Sequence, residues 1–313
     1  MLENYIKEHQ LDNALQEVCK ILCSGDPNQI ATLENTFLNI CSHIGSNIDI
    51  HTTLRWIDIL KRTQSFITSE EIHIDETLIL TCMLCLLCRE IHVSKLLPLN
   101  QLRARVIQSF NTKLSPHEER AYDKILPTQT SDSFAVASSI LSGYLKLLGE
   151  IKDVSQDDRQ LYNLSNRLRL CVEYVTRKNV YIEHNDNRDP DNIWFVWNVM
   201  DALTGNPAPI KIANDLFNYK WNPKNKKNRQ GLLWGCAFVV VLTHRNNVSK
   251  SWVEENVKMF NKVREMTPVM IKKIRSEMPK PPKETQTRTM KDMDPIEILM
   301  NFVPSARSST FSY

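Results

Sequence analysis

Three clusters have residue types and spacings that can do chemistry. Cys82, Cys85 and Cys88 stand in "CMLCLLC", and His92 follows one helical turn later. Thiolates at such intervals can bind a metal or an iron–sulfur cluster if the backbone folds around the ion. Here Met and Leu fill the intervals inside the apolar run 77–88, and no second ligand pair accompanies them. Free cysteine in such surroundings behaves as a small buried hydrophobe, so core packing is expected and no metal. Cys41, His43 and His51 form a second group, but their neighbours suit a helix end and its turn. Asp186, Asp189 and Asp191 in "HNDNRDPDN" resemble a calcium loop, but the central Gly and terminal Glu of an EF-hand are missing. Asp191 is expected instead to cap the helix that begins "NIWFVW", whose Trp194, Phe195 and Trp197 read as core.

No other catalytic signature is present. With 7 glycines in 313 residues, the chain has no Gly-rich phosphate loop and no spaced-Gly dinucleotide fingerprint. A nucleophile elbow and a paired-His metalloprotease helix are also missing. A non-enzymatic protein without cofactor is expected.

The fourth cluster is basic. "NYKWNPKNKKNRQG" packs Lys220, Lys224, Lys226, Lys227 and Arg229 into 218–231, with Tyr219 and Trp221 among them and only Asp215 close by. Read as a loop, it offers cations for backbone phosphates, Asn225 and Asn228 for phosphate and sugar, and an aromatic ring for base stacking. A solvated loop between two helices is the plainer account. Further cations lie at Arg167, Arg169, Arg177 and Lys178, at Lys272, Lys273, Arg275, Lys280 and Lys283, and at Arg103 and Arg105. Net charge is only +3, so polyanion binding requires these to gather on one wall of the fold.

The elements that must position these residues are helical. Leu11, Ala14, Leu15, Val18 and Leu22 recur on one face of a helix. Ile30, Leu33, Phe37, Ile40, Cys41 and Ile44 do so on a second, and Leu54, Trp56, Ile57 and Leu60 on a third. "SGDPNQ" breaks the chain between the first two, and the three together suggest solenoid-like pairing. Helix starts are expected at Ser115–Pro116, at Ser155 and at Thr267–Pro268, with further helices over 132–151, 191–203, 207–219, 229–243 and 251–265. "NVYIEH" (179–184) is the best extended candidate. The apolar runs 77–88 and 231–244 are shorter than the roughly 20 residues of a membrane span and read as buried core.

An all-α protein of many short helices is therefore expected, in two lobes over 1–130 and 131–278. A solvated linker and docking arm should follow over 279–313. The arm carries the apolar patch Ile296, Ile298, Leu299, Met300, Phe302 and Val303, which either folds back on its own core or docks on a neighbouring subunit. The charged, amphipathic opening residues do not read as a cleavable export signal. The eight cysteines are then expected as reduced thiols of a cytoplasmic protein, or of one carried in a virion.

In layout, a helical core over 1–278 with an arm over 279–313, the chain resembles the helical nucleoproteins and coat proteins of RNA viruses. The basic clusters themselves point to sequence-independent binding of single-stranded RNA in a groove between the two lobes, and the tethered patch to homo-oligomers joined through the arm. The phosphate contacts would be Lys220, Lys224, Lys226, Lys227, Arg229, Arg167, Arg169, Arg177, Lys178, Lys272, Lys273 and Arg275, with Tyr219 or Trp221 stacking on a base. The competing expectation is a helical adaptor that binds protein partners on a concave surface of the paired N-terminal helices.

Overall fold

A computed structural model describes residues 1–49, 51–93, 193–194, 196–197, 200, 208–243 and 256–278. The described residues form eight α-helices and no strands, so the fold is all-α. In chain order these are α1 (Leu2–Lys7), α2 (Leu11–Ser24), α3 (Pro27–Gly45), α4 (Thr53–Thr68), α5 (Ile74–Val93), α6 (Ala208–Asn218), α7 (Lys226–Thr243) and α8 (Val257–Glu277). A 3-10 turn, Pro223–Asn225, joins α6 to α7.

Local chemistry sets the first corner. Gly25 closes α2 in the left-handed region at φ 64°, where a side chain would be strained. Asp26 then caps α3, its carboxylate accepting the Asn28 N–H at 2.9 Å, and Pro27 takes the first helical position. The expected break at "SGDPNQ" is thus one tight turn between antiparallel-capable helices.

Two helices lack a polar face over their middle turns and form the centre. α5 packs against α1, α2, α3, α4 and α8, and α7 against α3, α4 and α6. A helix apolar all round has to be buried. Both apolar runs are accordingly core: Leu78 through Cys85 and Leu232 through Val240 are nearly all inaccessible. Among the described residues no helix is long and apolar enough to cross a membrane.

The α3–α7 crossing depends on the lack of a side chain at three glycines. A Cβ on Gly231 would lie 1.9 Å from the Ser42 carbonyl oxygen, and one on Gly45 2.4 Å from the Gly231 carbonyl oxygen. The buried ring of Trp56 lies over Gly235, 2.4 Å from where its Cβ would be. Trp56 Nε1 donates to the Cys41 carbonyl at 2.9 Å, and the Gly231 N–H to Ser42 Oγ at 3.0 Å. Backbones this close leave no room for water between them.

α8 differs from the sequence expectation. Thr267–Pro268 does not start a helix, because the helix runs through it. Thr267 is buried and its hydroxyl donates to the Val263 carbonyl at 2.8 Å, one turn back. Pro268 is on the exposed side, so its ring and missing N–H face water while Phe260, Val263 and Ile274 hold the inner face. Tertiary packing outweighs a helix breaker worth about 3 kcal/mol.

Helices from both expected lobes share one core. α7 packs on α3, and α8 on α2 and α5. The start sites at Ser115 and Ser155, the extended piece 179–184, the aspartates 186, 189 and 191, and the arm 279–313 lie outside the described residues.

Candidate functional site

The basic stretch is mostly helix, not loop. Lys226, Lys227, Asn228 and Arg229 form the first turn of α7. Before them, Asn222 caps the 3-10 turn, its side chain accepting the Lys224 N–H at 2.9 Å. Lys220 closes α6 at φ 46°, a left-handed conformation that a residue with a Cβ adopts at some cost.

Most of the stretch is committed to the fold. Arg229 is only 2% exposed, and its guanidinium donates to the carbonyls of Phe217 (3.0 Å) and Tyr219. It therefore ties the end of α6 to the start of α7 and has no face for a phosphate. Burial lowers its pKa; the two carbonyls replace the lost water. Expected as a phosphate contact, Arg229 is a structural cation.

The aromatic residues are engaged too. Trp221 stacks on Phe217 at 4.7 Å between ring centres and meets Trp194 edge-on at 5.2 Å. Trp194 in turn packs against Phe217, and so does Trp197 at 5.5 Å. The Tyr219 hydroxyl donates to Glu34 of α3 at 2.9 Å. Lys220 pairs with the same carboxylate at 2.9 Å. The Tyr219 hydroxyl and Glu34 together hold the Lys220 ammonium above its ordinary pKa. Both rings are partly buried, Trp221 has one face against Phe217, and Lys220 is ion-paired. Lys224 and Lys227 remain exposed, and Lys226 is half-buried.

The second basic set sits elsewhere. Lys272, Lys273 and Arg275 are exposed on α8, which packs on α2 and α5, whereas the α6–α7 corner packs on α3 and α4. Arg167, Arg169, Arg177, Lys178, Arg103, Arg105, Lys280 and Lys283 lie outside the described residues. The two sets are thus carried by helices that rest on different supports, α3 and α4 for the one and α2 and α5 for the other.

The outer face of α8 is the surface that sequence reasoning missed. Lys258, Lys262, Glu265, Val269, Lys272 and Lys273 recur at helical spacing and are all exposed. Val269 is 69% exposed at the middle of the row, with Met266 at 40% on its border and Val257 at 44% near the start. The row crosses Pro268. Reading two helices there, one over 251–265 and another from Thr267, splits it into halves that do not align. A single amphipathic period carried through the proline was the signal that could have found it.

The cysteine clusters are core. Cys82, Cys85 and Cys88 are buried along the unbroken α5, where burial drives the Cys82 thiol to about 11 and Cys88 to about 12. A continuous helix cannot wrap around an ion, and thiols held this high are not ready ligands or nucleophiles. Cys41 is buried against Thr63 Oγ1 at 3.3 Å, with its thiol also near 12 through burial, while His43 lies exposed at the end of α3. The two do not converge. Between α4 and α5 a cleft of about 110 Å³ is lined by Arg62, Phe66, Ile72, His73, Glu76 and Leu80. Arg62 and Glu76 are ion-paired across it at 2.6 Å, and its size is below that of ordinary ligand pockets.

Compared with protein-family models, curated proteins and solved structures, the chain matches none.

Proposed function

We propose that the protein is a non-enzymatic helical scaffold that docks a partner segment of acidic and apolar character on the outer face of α8. One observation carries this reading: exposed Val269 and Met266 lie within a row of four lysines on a helix whose other face is anchored in the core. A phosphate backbone needs cations alone. Apolar side chains at the middle of the row suit a peptide that brings both carboxylates and hydrophobes.

The test is a capture experiment with chain 1–291 as bait. Val269→Glu and Lys273→Glu should each lose the partners that the unaltered bait retains, with the circular dichroism unchanged. Equal capture by bait and variants would reject the α8 face.

A second reading is a self-assembling nucleoprotein that binds single-stranded RNA through Lys224, Lys226 and Lys227, with Lys272 and Lys273. It is supported by the exposure of Lys224 and Lys227, for which no ion pair occurs among the described residues. Absorbance at 260 and 280 nm of purified protein, with and without nuclease, separates the two. Co-purifying nuclease-sensitive material favours RNA; a clean protein spectrum favours the scaffold.

A further inference from the structure

The chain itself contains a segment with the chemistry that the α8 face fits. Residues 292–303 read "DMDPIEILMNFV": Asp292, Asp294 and Glu297 stand beside Ile296, Ile298, Leu299, Met300, Phe302 and Val303. The face offers the complement in net charge, with Lys258, Lys262, Lys272 and Lys273 outnumbering Glu265 around Val269 and Met266. Carboxylates meet ammonium groups while hydrophobes meet hydrophobes, a match of charge and of character at once.

We infer that residues 292–303 dock on the outer face of α8 of the same molecule and act as its built-in competitor for partner segments. This deepens the scaffold reading and rests on it for the partner, but not for the contact. Reach supports the intramolecular form. α8 ends at Glu277, and Val269 lies about 12 Å back along its axis at 1.5 Å per residue. The intervening 278–291, about 14 residues, can span up to roughly 50 Å. The chain can return over the whole face with length to spare, and a tether of this length sets a local concentration of about millimolar. A partner must then outcompete the tail, so occupancy of α8 becomes conditional on the partner's own carboxylates and hydrophobes.

The experiment uses a fluorescent peptide of residues 290–304, titrated into the full chain and into chain 1–291. The truncated chain should bind the peptide at least about tenfold more tightly than the full chain, because the tethered copy no longer competes. In the truncated chain, Val269→Glu or Lys273→Glu should weaken binding by about tenfold, the scale of one lost anchor. A peptide carrying Asp292→Lys, Asp294→Lys and Glu297→Lys should not bind. Because Val269 and Lys273 are exposed, the variants keep their fold, which circular dichroism verifies. Three results would each overturn the inference: no binding to chain 1–291, equal binding to full and truncated chains, or indifference to Val269→Glu. The first or second with partner capture still lost in Val269→Glu would leave the scaffold reading standing without the self-docked tail. Loss of neither would remove both.

Discussion

At the scale of single residues, sequence type and structural role separate most clearly at Arg229. Its neighbours are lysines, and in a linear string it looks like one more surface cation. Its partners are two carbonyls at the end of α6, which it reaches only when α6 and α7 meet, and no local pattern announces that. Arg229→Met should leave the Phe217 and Tyr219 carbonyls buried without a donor, at about 1–3 kcal/mol for each. Urea unfolding should show the loss, and oligouridylate binding by the folded fraction should be unchanged. Glycine poses the same problem. Seven glycines suggest few special backbone positions, yet Gly45, Gly231 and Gly235 set how closely α3, α4 and α7 approach. Gly231→Ala places a methyl group 1.9 Å from a carbonyl oxygen. The crossing must open, and a lower melting temperature corresponding to roughly 1–3 kcal/mol is expected. Gly25→Ala meets no neighbouring atom and should cost only the left-handed backbone, about 1–2 kcal/mol.

At the scale of elements, periodicity exposed what was local and hid what was not. The inner faces of α2, α3 and α4 follow directly from Ala14, Leu15 and Val18, from Leu33, Phe37 and Ile40, and from Trp56, Ile57 and Leu60. The apolar runs of α5 and α7 read as core, and they are the two most enclosed helices. Pro268 misled because a proline after threonine is a good helix start in isolation, while the hydrophobes on either side of it share one inner face. Ion pairs between helices were likewise illegible. Glu76 of α5 accepts from Arg62 of α4 and from Arg264 of α8 at 2.9 Å, fastening three helices at one carboxylate. Burial raises its pKa, but the hydrogen bonds and charges of Arg264 and Arg62 outweigh that and hold it below the ordinary value near 4.5. A carboxylate whose folded pKa is depressed adds stability that is complete above the unfolded pKa. That stability is lost as pH falls through the folded value. Glu76→Gln should therefore cost little more than about 1 kcal/mol at pH 7, since the pair is partly solvated. The variant and the parent should draw together as pH falls below 4.5 and through the depressed folded value, and urea midpoints measured from pH 7 to pH 3 check the trend.

At the scale of the whole molecule, the question is whether cations distant in sequence act together. A net charge of +3 leaves no general attraction for polyanions, so a binding wall has to be assembled by the fold. Among the described residues the fold assigns Lys224, Lys226 and Lys227 to the α6–α7 corner and Lys258, Lys262, Lys272 and Lys273 to α8. The two proposed functions therefore make separable demands. Reversing Lys224 and Lys227 to Glu should, if RNA is the ligand, weaken labelled oligouridylate equally across sequences. It should also reduce the salt slope by about 0.7 for each lost phosphate contact. Reversing Lys258 and Lys262, which the RNA reading does not use, should, if α8 docks peptides, abolish binding of the 290–304 peptide to chain 1–291 and leave oligouridylate unmoved. Affinity for oligouridylate that falls under both reversals would mean that the two sets grip one polyanion. In that case hydrophobic Val269 would be irrelevant to binding, and Val269→Glu, an added negative charge apart, should behave no worse than Val269→Ser.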